Sequence, residues 1–324
     1  MTWREELALG RARDLVGDLR GAADAFIRAH ALAPTEAEPA FALARIEERR
    51  GRPRDAERLY RVALAARPDW PLAAVPLARI LVARAQPTLA AAVAEARRAL
   101  AAPRAAHPEH VLLAVVEAEL LLEEERADEA KELLLAARTP SAPRVVELAL
   151  ARAENRIGIT LAAAGRSDEA AFAFKRACDL DDSWAPPRAN LGALWQRLGR
   201  PRAAYEQYRR ALALDATHAL AHFNLGTLLR ERGDLDGAVR SFGAALRADP
   251  PHPAARVELA LSEAERGDDR RAIELLEEEV RVGRAAAATL RNLAKLYARG
   301  GRLVEAAAIL GCAQGNSGPP AASK

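Results

Sequence analysis

Gly165, Gly199, Gly233, Gly267 and Gly301 recur at intervals of 34 residues. A single globular core has no use for such a spacing, whereas a tandem array of one structural unit requires it. Other positions keep step. Alanine follows each glycine by five residues, at Ala170, Ala204, Ala238, Ala272 and Ala306, and Leu or Ile precedes each by eight. Within one unit Leu191, Leu194, Trp195 and Leu198 lie three and four residues apart, and a second set, Ala204, Tyr208, Ala211 and Leu212, does the same. Each set marks the buried face of a helix, so the unit is predicted to be a helix pair. Gly199 falls between the two, where a residue with positive φ ends the first helix at no steric cost.

The unit Arg188-x-x-Leu191-Gly192-x-x-Trp195, followed by Gly199, Ala204, Tyr208 and Ala211-Leu212, resembles the tetratricopeptide repeat, whose period is 34. The next copy carries Leu225-Gly226, Gly233, Ala238, Phe242, Ala245-Leu246 and Pro250, and the pattern also opens the chain as Leu9-Gly10, Gly17, Ala22, Phe26, Ala29 and Pro34. About nine copies fit. The resemblance implies an all-α fold, a right-handed superhelical solenoid of antiparallel helix pairs. Among known proteins the chain is similar to bacterial scaffolds of this family and to the repeat region of O-linked N-acetylglucosamine transferases.

The register of Gly10, Ala44 and Ala78 is twelve residues out of phase with that of Gly158, Gly192, Gly226, Ala260 and Ala294. Extra residues are expected at Ala85-Gln86-Pro87, at the connector Pro103 to Pro108 and at Thr139-Pro140-Ser141-Ala142-Pro143, because proline opposes a continuous helix. The expected organisation is two regular units over 3–70, two degenerate units over 71–144, five regular units over 145–313 and a disordered tail over 314–324.

Composition excludes several function classes. The sequence pI is about 9.1, yet 48 Lys and Arg face 45 Asp and Glu, a net charge of only +3. No basic run is interleaved with stacking aromatics, so nucleic acid is not an expected partner. The most apolar stretch, Val111 to Leu122, contains Glu117 and Glu119 and is too short to span a bilayer. The repeat pattern starts directly after Met1-Thr2, which leaves no apolar signal segment and makes the cytoplasm the expected location. Cys178 and Cys312 fall on apolar faces of separate repeats and read as core residues. His218 and His222 could share a helix face as zinc ligands do, but no third and fourth ligand stands at metal spacing. The acidic run Glu123-Glu124-Glu125 with Asp128, Glu129 and Glu132 reads as a solvated helix face. No phosphate loop, nucleophile motif or strand is evident, so neither an enzyme nor a cofactor site is expected.

In the family that the chain resembles, the first helices of successive repeats line a groove that holds an extended peptide or a partner helix. The groove candidates toward the C-terminus are Asn155, Arg156, Asn190, Arg197, Asn224, Arg230, Arg291, Asn292, Lys295 and Arg299. Asn190, Asn224 and Asn292 share one repeat position, which Glu258 interrupts. Such a row can donate to and accept from a peptide backbone, and neighbouring arginines would favour acidic segments. Toward the N-terminus Arg11, Arg45 and Arg79 repeat at the same interval, either to meet an acidic ligand or to pair with Asp14 and Glu48 a turn away. The lysine, asparagine and arginine clamp of chaperone-binding relatives is not reproduced, since Ala189, Ala193, Asn224, Ala254 and Glu258 occupy its positions. A non-catalytic scaffold or adaptor is therefore expected. The alternatives are a subunit that self-associates through uncapped solenoid ends, a homo-oligomer, and a recruiting module that serves a glycosyltransferase in trans.

Overall fold

The computed structural model describes residues 1–85, 88–139, 144–249 and 253–313. Gln86-Pro87, the 140–143 segment, Pro250 and the tail from 314 lie outside them, as does the side chain of Cys312. The described residues form eighteen helices and no strand. The chain divides into two compact units, 1–157 and 158–324. The first contains α1 (Trp3–Leu15), α2 (Leu19–Leu32), α3 (Ala37–Arg49), α4 (Pro53–Ala66), α5 (Pro71–Arg84), α6 (Leu89–Ala106), α7 (Val111–Glu123) and α8 (Ala127–Ala137). Helix α9 (Arg144–Ala163) contributes to both. The second unit continues with α10 (Ser167–Leu180), α11 (Ala185–Arg197), α12 (Pro201–Leu214), α13 (Ala219–Glu231), α14 (Leu235–Ala248), α15 (Pro253–Arg266), α16 (Asp269–Arg281), α17 (Ala287–Arg299) and α18 (Leu303–Ala313).

Local chemistry starts and stops these helices as the sequence dictates. Thr2 and Glu5 form a reciprocal capping box on α1, and Asp18, Asp234 and Asp268 accept from Gly21, Gly237 and Arg271 backbone N–H groups at the starts of α2, α14 and α16. Between the helices of a pair, Gly165, Gly199, Gly233, Gly267 and Gly301 all have φ between +67° and +97°, the left-handed conformation expected of them. Glu125 (φ 61°) and Ala85 (φ 45°) adopt it in the two degenerate repeats, where a Cβ makes it less favourable by roughly 1–2 kcal/mol.

Packing within a pair rests on a small residue in the first helix facing a large one in the second. A Cβ on Gly10, Gly158, Gly192 or Gly226 would lie 2.3–2.8 Å from the ring of Phe26, Phe174, Tyr208 or Phe242 respectively, far inside van der Waals contact. Those rings are 0–3% exposed. Where the ring is a tyrosine, its hydroxyl finds an acceptor: Tyr60 donates to Glu48 at 2.8 Å and Tyr208 to Gln196 at 2.9 Å, the same repeat position in both cases. Burial pushes both hydroxyls well above the ordinary tyrosine range.

Longer helices take up much of the phase shift. Helix α6 has 18 residues where its counterparts α2 and α4 have 14, and α9 has 20 where α11 and α13 have 13. Pro103 is therefore not a connector. It lies inside α6 near its C-terminal end, with its ring buried in line with Ala96 and Leu100. A proline there loses one ladder hydrogen bond, and burial of the ring offsets part of that cost.

Carboxylates are buried at several junctions. Glu6, Glu57, Glu154 and Glu279 are 1–5% exposed, and each meets a cation: Arg28 at 2.9 Å, Arg84 at 2.8 Å, Lys131 at 3.0 Å and Arg256 at 3.1 Å. Hydrophobic periodicity gives no warning of them. Arg256 and Glu279 join α15 to α16, with Arg284 a further 3.8 Å from the same carboxylate.

Two stability predictions follow from this geometry. Gly233→Val is expected to destabilise the array by at least ~1 kcal/mol because φ is +79° there, whereas Gly243→Ala, mid-helix and open to a Cβ, is expected to stabilise it by about 0.5–1 kcal/mol. Arg256→Ala leaves the buried Glu279 carboxylate with only the more distant Arg284 and should cost about 3 kcal/mol, most of it recovered when Glu279→Leu is combined with Arg256→Met. Urea denaturation followed by circular dichroism measures all four.

Candidate functional site

Second helices pack on their own first helix and on the first helix of the next pair. Successive first helices also touch directly, α1 on α3 and α5 on α7 in the first unit, and α11 on α13 and α13 on α15 in the second. First helices thus lie side by side at these contacts. Side chains on the face they form stand where the core does not use them.

In the second unit Asn190 on α11, Asn224 on α13 and Asn292 on α17 are half-buried at equivalent positions, and Glu258 on α15 interrupts the row. The Asn224 and Asn292 amides make no side-chain hydrogen bond to described residues, so their donors and acceptors are available along the face. Most cations nearby are committed. Arg230 reaches Glu258 and also lies 3.6 Å from Glu265. Arg197 donates to the Ala162 carbonyl at 2.8 Å, satisfying the end of α9, and Arg299 lies 3.3 Å from Asp269. Gln196 bridges Tyr208 and Glu231. Arg291 and Lys295 are exposed and make no ion pair with described residues.

Asn155 and Arg156 belong to the first unit. Arg156 is exposed, but Asn155 is only 8% exposed and does not present a groove side chain. Exposure at this repeat position changes along the chain: Asn155 and, one period on, Ala189 are buried, whereas Arg291, four periods on from Asn155, is exposed, and it is Arg156 that aligns with Asn190.

The arginines spaced through the first unit behave differently from one another. Arg11 pairs with Glu38 on α3 at 3.0 Å. Arg79 holds Glu119 on α7 through Nε at 3.1 Å and through a second nitrogen at 3.2 Å, and Arg152 approaches the same carboxylate at 3.6 Å. Arg45 is exposed and makes no ion pair with described residues. The expected pairing with Asp14 and Glu48 does not occur. Asp14 is taken by Arg49 and Glu48 by the Tyr60 hydroxyl, because neighbouring helices bring partners closer than the next turn of the same helix. No local sequence pattern signals these inter-repeat pairs. Arg230 and Glu258 are 28 residues apart, a distance at which only the repeat geometry, not helical spacing, brings side chains together.

His218 and His222 have structural duties. His218 Nδ1 accepts from the Ala221 backbone N–H at 3.2 Å as the cap of α13, and His222 Nε2 donates to the Ala216 carbonyl at 3.0 Å. In the acidic run Glu124 pairs with Arg97 at 2.8 Å and Glu129 with Arg126 at 2.6 Å. Burial raises the Cys178 thiol above its ordinary range, consistent with a core residue. Among the described residues no helix is long and apolar enough to cross a membrane.

A family model described as tetratricopeptide repeat matches residues 196–253, 224–288 and 257–316. No curated protein matches the chain. Among solved structures, the crystal structure of the APC/C hetero-tetramer Cut9–Hcn1 is 18% identical with a TM-score of 0.50, over 92% of this chain and 57% of that one. The crystal structure of MamA is 22% identical with a TM-score of 0.46, over 49% of this chain and 94% of that one. The helix pairs, the left-handed glycines between them and the matched repeats agree: residues 196–316 carry tetratricopeptide repeats, and the described residues fold as an all-α repeat solenoid.

Proposed function

We propose that the chain is a non-catalytic interaction scaffold whose first-helix face binds extended segments of partner proteins. The observation that carries this reading is the row of half-buried asparagines at one repeat position, two of which, Asn224 and Asn292, leave their amides unbonded on that face. An amide offers two donors and an acceptor, the complement of a peptide backbone, and demands no particular side chain from the ligand. The proposal gives the chain no chemical step of its own. Positioning of the row by rigid helices lowers the cost of binding, because the side chains that meet the ligand are already ordered.

A second reading, association between copies, rests on α18. Leu310 is 41% exposed, whereas the equivalent Phe174, Tyr208, Phe242 and Leu276 are 0–2% exposed beneath the following helix. Val304 and Leu303 on the same helix are 82% and 67% exposed. Sedimentation equilibrium over a hundredfold concentration range tests it, and a constant monomer mass would dispose of it. The recruiting-module reading has only the asparagine row in its favour.

Replacing Asn190, Asn224 and Asn292 together with alanine is expected to leave helicity intact and to remove a defined set of proteins from affinity capture in lysate, identified by mass spectrometry. The same set on both baits, with equal helicity, would sink the groove reading.

A further inference from the structure

We propose that the segment held by the second unit has its acidic residues at one end, and that Arg291 and Lys295 of α17 hold that end. The proposal rests on the groove reading above and adds charge, position and direction to it. Arg291 and Lys295 are four residues apart, exposed on one face of α17, and flank Asn292. Helix α17 contains no acidic residue, so these like charges repel one another with nothing on their own helix to relieve them. Elsewhere on the face positive charge is already used, by Glu258 and Glu265 at Arg230 and by Asp269 at Arg299.

The neighbouring helix makes the placement selective. On α15 two carboxylates share the single Arg230, and the Glu265 side chain remains 49% exposed. An acidic ligand residue over α15 would meet net negative charge, whereas one over α17 meets two uncompensated cations. The Arg291 guanidinium can take a carboxylate through two parallel N–H donors, and the Lys295 ammonium adds a mobile point charge. Asn190 and Asn224 carry no charge, so the rest of the segment needs none. Helix α16 packs on both α15 and α17, so α17 follows α15 in the same order as the chain. The ligand is thus an extended segment with Asp or Glu at the end that lies over α17 and a neutral stretch over Asn224.

Random twelve-residue peptides displayed on phage are selected against the full chain, against Arg291→Glu/Lys295→Glu and against the triple asparagine variant. The full chain is expected to enrich peptides with Asp or Glu clustered at one end, and the charge-reversed variant to lose that bias. An enriched peptide, made with a fluorescein label, should bind Arg291→Ala/Lys295→Ala at least tenfold more weakly at unchanged helicity, with an affinity that falls as salt is raised. Enriched peptides without acidic bias, bound equally by both proteins, would overturn the α17 assignment and leave the groove standing. Peptides indifferent to the asparagines, or no enrichment at all, would overturn the groove and this proposal together.

Discussion

Where the ring of Tyr208 lies against Gly192 there is no room for a β-carbon, and that exclusion sets how closely the two helices of a pair approach. The same seat recurs for Phe26 on Gly10, Phe174 on Gly158 and Phe242 on Gly226. Because each ring is buried, it also presents its far side to the leucines of the following first helix, as Phe174 does to Leu191 and Leu194. One contact therefore determines both the spacing within a repeat and the spacing to the next. Buried area is contributed in equal local portions, so stability accumulates repeat by repeat.

Charge is distributed by a second rule. Several side chains that project from the first helices pair with the neighbouring repeat, as Arg11 does with Glu38 and Arg79 with Glu119. What this pairing leaves over in the second unit is largely neutral amide, with exposed positive charge on α17 at Arg291 and Lys295. Exposed ion pairs of this kind add little to stability. Their larger effect is to neutralise charge along most of the face.

Helix pairs, their turns and the buried stripes were legible in the sequence because each is a local pattern repeated at a fixed interval: Gly233 has the conformation its position demands, and Ala204 and Ala238 are fully buried as their spacing implies. Asn190, Asn224 and Asn292 were legible for the same reason. Asn155 is buried although Arg291, at the same repeat position, is exposed, a difference set by the side chains of neighbouring repeats that the repeat pattern does not carry. Arg230 with Glu258, and Arg256 with Glu279, were not legible, since a pair formed between helices depends on rotamers and approach that no periodicity encodes. Pro103 was misjudged because a general rule about proline was applied without knowing that its ring had a buried place to go.

The longer helices α6 and α9 exceed their counterparts by four and seven residues, close to one and two turns at 3.6 residues each. Lengthening by whole turns keeps the buried stripe in phase, so that Pro103 continues the line of Ala96 and Leu100, and Val146 and Leu150 continue the line of Ala153. Any other increment would rotate the stripe toward solvent. A repeat array therefore tolerates insertion as a screw tolerates added thread: growth along the axis is free only in complete revolutions, and the sequence records this as a phase jump between registers that are each internally regular.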